Sequence, residues 1–177
     1  EIDTLIVYKL SKILGVNVPE TYRFNISING INKNGFLQRK ILADKFYYLN
    51  EFIEHFVKQK NKKLVSSAVK NDIFSWLIFY TDDIELLLDA SGEIFQVDLE
   101  GAFDIYEADE GLFTFYPSDV AGSIDMDFYP AYSFVTYIDR VDIDDLIRFI
   151  EKNFKSYKDL AHYGNVLNVL AERKKCV

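Results

Sequence analysis

Cysteine, histidine and methionine are nearly missing from this chain, positive charge is in deficit, and each scarcity removes a class of function. One cysteine in 177 residues, Cys176, excludes an internal disulfide and offers no thiolate pair to a metal. The two histidines, His55 and His162, lack a Cys, His or carboxylate partner at metal-ligand spacing and read as surface residues. No G-x-S-x-G elbow is present, which argues against a hydrolase triad. Lys and Arg number 20 against 28 Asp and Glu, a net charge of -8, so a sequence-independent grip on nucleic acid is not expected. No run approaches the ~20 apolar residues that span a bilayer, and the opening EIDTLIVYKLSKILG lacks the basic start of a secretory signal. A reducing, cytoplasmic setting is expected. The chain opens on Glu rather than Met, as a fragment or processed piece would.

Against these absences stand 15 Phe and 12 Tyr in a chain that is 49% hydrophobic. That is enough apolar material for one packed domain over residues 1–177, divided into a helix with two strands over 1–44 and a mainly helical part over 45–177. Ile2, Leu5, Ile6, Leu10, Ile13 and Leu14 recur at helical spacing, with Gly15 at the C-cap. Pro19 forces extended backbone; Tyr22 to Ile28 alternates up to Asn29-Gly30, and a second strand is expected from Gly35 to Leu42. Helices are predicted for Lys45–Gln59 and Leu64–Tyr80, the latter apolar and buried in its last two turns. The run Lys58 to Lys63 reads as a solvated loop between them. Beyond Glu100 an acidic, aromatic-rich loop with a short strand at Leu112 to Phe115 precedes a helix N-capped by Asp142, then a last helix from Tyr157 to Lys175. The class is α+β.

The most informative segment is Thr81 to Glu100, TDDIELLLDASGEIFQVDLE. Leu86 to Leu88 and Ile94 to Val97 are short apolar runs joined by Asp89-Ala90-Ser91-Gly92, a hairpin signature. It sets Asp82 after an apolar helix and Asp98 at the end of a strand, across the ribbon from each other. Phosphoryl transfer needs a carboxylate to orient the attacking hydroxyl and others to hold metal ions. Taken alone, Asp82 and Asp98 read equally well as residues closing a helix and a strand, and Glu85 as a surface residue.

With Thr81-Asp82 before the hairpin and Val97-Asp98-Leu99-Glu100 after it, the chain resembles the protein-kinase-like superfamily, in its atypical branch of HipA-like and phosphatidylinositol kinases. Leu10 to Tyr22, LSKILGVNVPETY, is similar to the helix, Gly and V-P segment before the hinge strand in that branch. The resemblance implies a mainly helical C-terminal lobe with a small antiparallel hinge sheet and a catalytic-type hairpin. It further implies Asp82 as catalytic base, Asp98 as Mg ligand with Glu85 near the position of the metal-binding Asn, and Phe36 to Ile41 as the hinge. Gln38, Arg39 and Lys40 would there meet ATP. The family's His is absent and the link after Asp82 is about two residues short, which keeps a second reading open: a degenerate kinase-like module that binds a protein partner as a scaffold.

Overall fold

The computed structural model describes residues 2–80, 82–99, 101–103, 142–154, 170–173 and 175. In order these form α1 (Ile2–Leu14), β1 (Thr21–Ile28), β2 (Ile31–Gln38), β3 (Ala43–Tyr48), α2 (Leu49–Lys58), α3 (Lys62–Leu77), β4 (Glu85–Asp89), β5 (Ile94–Val97) and α4 (Ile143–Phe154). Helices and two small antiparallel sheets, β1-β2 and β3-β4-β5, make an α+β arrangement. The strand expected at Leu112 to Phe115 and most of the last expected helix lie outside the described residues.

The first hairpin turns on Asn29 (φ 52°) and Gly30 (φ 77°), the two positive φ values that a two-residue loop needs to match strand twist. Because Ile28 pairs with Ile31 directly across that turn, β2 starts four residues earlier than expected and stops at Gln38, short of the expected Leu42. Asn32, Lys33 and Asn34 are poor strand formers, and it is the turn that places them in the ladder.

A larger difference lies at Lys45–Tyr48, which the apolar spacing placed in a helix. Here β3 pairs antiparallel with β4, Phe46 opposite Leu87 and Tyr48 opposite Glu85, so the hairpin becomes a three-stranded sheet. Aromatic residues at 46, 47 and 48 suit a pleated surface, and a free ladder on β4 favours strand over helix. The helical stripe takes over only at Leu49, whose N–H donates to Ile84 O at 2.9 Å.

Three helices stop with a residue of positive φ followed by an N–H bond reaching back into the last turn. In α1 this residue is Gly15, and Val16 N–H meets Ser11 O at 2.9 Å; in α2 it is Lys60, and Asn61 N–H meets Phe56 O at 3.0 Å. In α3 the residue is Phe79 (φ 52°), with Phe79 N–H to Trp76 O at 3.1 Å and Tyr80 N–H to Ser75 O at 2.9 Å. Glycine is favoured at such a position, and a bulky side chain there is strained. The Phe79 ring has its own partner, the Arg173 guanidinium 4.7 Å from its centroid.

Two apolar clusters meet along α3. Phe52, Ile53 and Phe56 of α2, Val65 and Ala68 of α3, and Leu86 and Ile94 of the sheet form one. Ile6, Val7 and Leu10 of α1, Ile73, Phe74 and Leu77 of α3, Phe103 and Leu146 form the other. The inward face of the sheet (Leu86, Ile94, Gln96) is buried against α3, which leaves Leu87, Phe95 and Val97 on the opposite face. Among the described residues no helix is long and apolar enough to cross a membrane.

Candidate functional site

The open face of β4-β5 forms one wall of a cavity. Leu87, Val97, Asp98 and Leu99 line it on that side, Thr4 and Val7 from α1, Val18, Pro19 and Thr21 from the segment entering β1, and Gln38 to Ile41 from the segment leaving β2. Its volume is about 280 Å³, near the lower end for small-molecule sites, which run to ~300–1,000 Å³. A second depression of about 430 Å³ shares Val18, Arg39, Lys40 and Ile41 with it and adds Lys12, Glu20, Asp89 and Glu93. A slot of mixed apolar and charged lining thus adjoins a more charged one.

This geometry brings together Gln38, Arg39, Lys40 and Asp98, residues some sixty positions apart in sequence. Gln38 ends β2, while Arg39 and Lys40 lie beyond it in irregular backbone, so the expected hinge strand is only partly a strand. Arg39 N–H donates to Glu20 O at 2.8 Å and its guanidinium lies 3.4 Å from the Glu20 carboxylate, which anchors the segment over the cavity. The Glu20 carboxyl is held below its ordinary pKa, first by the Tyr22 hydroxyl and then by Arg39.

Asp82 and Glu85 do not line the cavity. Glu85 stands next to Asp98 across β4-β5, and the negative charges of Asp82, Asp83, Glu85 and Asp98 all act on Tyr80. Burial pushes the Tyr80 phenol up to about 12, helped by the negative charges of Asp82, Asp98, Glu85 and Asp83. Glu85 opens β4 opposite Val97, next to Asp98, and its carboxyl is raised first by burial and then by Asp98, Asp82 and Asp83. The charges of Asp82 and Asp98 both act on Glu85 and Tyr80. Asp82 and Asp98 are exposed, and Asp82 Oδ1 accepts a bond from Asp83 N–H at 2.8 Å. Thr81 lies outside the described residues. Among the described residues no three His, Cys, Asp or Glu side chains come together as a metal-holding group.

Tyr80 is the member of this group that sequence reasoning missed. Its hydroxyl donates to Asp98 O at 2.6 Å, and Asp98 adopts a left-handed backbone at φ 52°. The phenol thus pins the one residue that joins the carboxylate cluster to the cavity. Neither its partner eighteen residues away nor the Phe79 turn that aims it leaves a mark in local periodicity. Leu87, Val7 and Val18 were likewise legible only as apolar positions. The chain matches no protein-family model, no curated protein and no solved structure.

Proposed function

We propose that this chain forms the nucleotide- and metal-handling part of a kinase-like phosphotransferase that uses ATP and Mg in the cytoplasm. The observation that carries the reading is the single cavity shared by Gln38, Arg39, Lys40 and Asp98, with Glu85 and Asp82 beside it. Its apolar walls, Val7, Val18, Leu87 and Val97, suit the faces of a purine, and the adjoining depression carries Lys12 and Lys40 towards phosphate beside Glu20, Asp89 and Glu93, with Arg39 held by Glu20.

The carboxylate cluster has the charge a divalent cation needs. Glu85 is raised first by burial and then by the charges of Asp98, Asp82 and Asp83, and a bound cation would relieve the repulsive part. Magnesium commonly takes one or two protein carboxylates and fills its shell with water and phosphate oxygens. Asp98 and Glu85 would supply those two. The ion would there neutralise charge on the transferring phosphoryl group. Asp82, exposed at the rim, would accept the proton of the attacking hydroxyl and orient it. Asp98 is held for its task by Tyr80, and Arg39 keeps the 38–41 segment over the slot through Glu20.

Thermal denaturation with ATP, with and without Mg, tests this. At a hundredfold the dissociation constant a bound ligand adds about 2.7 kcal/mol of stability. Asp98→Asn should abolish the Mg-dependent part and leave binding of ATP alone. Absence of any Mg-dependent stabilisation in the wild type overturns the proposal.

A scaffold that keeps this lobe without turnover is favoured by one observation, the lack of a three-carboxylate group among the described residues. It predicts nucleotide or partner binding with no transfer of the γ-phosphate that Asp82→Asn could abolish.

A further inference from the structure

A polar face runs along the first half of α3. Lys63, Ser67, Lys70 and Asn71 stand at i, i+4, i+7 and i+8, the spacing that puts residues on one side of a helix. With residues 15–17, where the chain leaves α1, and 92–94, where it turns into β5, they line a cavity of about 110 Å³. It shares no lining residue with the nucleotide cavity. Asn17 Nδ2 donates to Glu93 Oε2 at 3.4 Å, which ties the two loops of this lining together.

One group here is out of keeping with its burial. Asn71 is 4% exposed, and its Nδ2 donates to Ser67 O at 2.8 Å, one turn back along its own helix. That bond fixes which amide atom is which, and it leaves Oδ1 with no donor among the described residues. A buried acceptor left unmatched keeps the whole cost of its lost hydration, so native proteins seldom hold one without a reason.

The charged groups of the lining are also unmatched. Among the described residues the Lys63 and Lys70 ammonium groups have no ion pair. Lys63 stands in the first turn of α3, which holds no acidic residue, at the end of a helix dipole that attracts anions. Glu93 is the one acid of the lining, and its partner there is the neutral amide of Asn17.

This pattern selects the occupant. Two ammonium groups call for an anion, while Glu93 and Asn71 Oδ1 can only accept and call for a positively charged donor. Phosphate would face Glu93, and a simple amine would leave both lysines unmatched. A cavity of ~150 Å³ holds benzene, so about 110 Å³ suits a molecule the size of glycine or alanine.

We propose that this cavity binds a small α-amino acid, its carboxylate at Lys63 and Lys70 and its ammonium at Asn71 Oδ1 and Glu93. The site does not depend on the nucleotide reading.

Isothermal titration calorimetry of the whole chain with glycine, acetate, methylammonium and inorganic phosphate tests it. Glycine should bind, and acetate and methylammonium about tenfold or more weakly, since each matches half of the lining. Asn71→Leu exchanges the unmatched amide for an apolar group of like size and should abolish glycine binding. Lys63→Met, a change at an exposed position, should weaken glycine several-fold with the circular dichroism unchanged. No binding of glycine, acetate or phosphate binding as tightly as glycine, or a glycine affinity unaltered by both variants overturns the proposal.

Discussion

Tyr80 does more at the level of single residues than its place after a helix announces. Its hydroxyl donates to Asp98 O at 2.6 Å, and the charges of Asp82, Asp98, Glu85 and Asp83 act on the phenol. Tyr80→Phe should lose one hydrogen bond, about 0.5–1.5 kcal/mol of stability, measured by urea denaturation at neutral pH. The pH dependence has a definite sign. Unfolded tyrosine ionises near pH 10 and the folded phenol near 12, so between these values the unfolded chain has already released its proton and stability falls as pH rises. Tyr80→Phe should lack that part of the alkaline slope; an identical slope in the variant would show that the phenol is not raised.

Asp98 and Phe79 share the left-handed backbone that L residues avoid, at a cost of about 1–2 kcal/mol each. Asp tolerates it better than Phe. The two strained residues bracket the hairpin, and Tyr80, next to one, is bonded to the other.

Among the elements, α3 and the β3-β4-β5 sheet hold the site in place. Leu86, fully buried where β4 rests on α2 and α3, keeps the opposite face of β4 presenting Leu87 to the cavity. Leu86→Ala should destabilise the chain by about 2–5 kcal/mol by chemical denaturation, a cavity-forming loss. A cost under about 1 kcal/mol would mean that this strand is not packed as described.

The sequence carried α1, with Gly15 as its stop, the Asn29-Gly30 turn, the β4-β5 hairpin around Gly92 (φ 79°) and the Asp142 cap, whose Oδ1 accepts from Asp145 N–H at 3.1 Å. Each is a local rule: a residue type with the right freedom or side-chain oxygen at the right place. β3 was hidden because Phe46, Leu49, Phe52 and Phe56 fit a helical stripe by spacing alone. Only the long-range ladder to β4 decides that the first of them is extended. The end of α3 was hidden because phenylalanine stands where glycine is expected, supported by Arg173 almost a hundred residues away. Of the candidate site, Asp82 and Asp98 were singled out by their places around the hairpin, and Glu85 only through the kinase-like resemblance. The cavity wall at Val7 and Val18 was not, because it forms only when α1 packs beside the sheet.

For the molecule as a whole, one cavity lies where α1, the end of β2 and the sheet meet. If that cavity takes a nucleotide with its metal, the protein brings base and cation together through residues from opposite halves of its described sequence. The most direct measurement is NMR with ATP and Mn²⁺ in place of Mg²⁺, because the paramagnetic ion broadens amide signals close to it. Broadening centred on Glu85, Val97, Asp98 and Leu99, together with ATP-induced shifts at Gln38 to Ile41, is the predicted result. Broadening centred elsewhere, or no response in either segment, would contradict it.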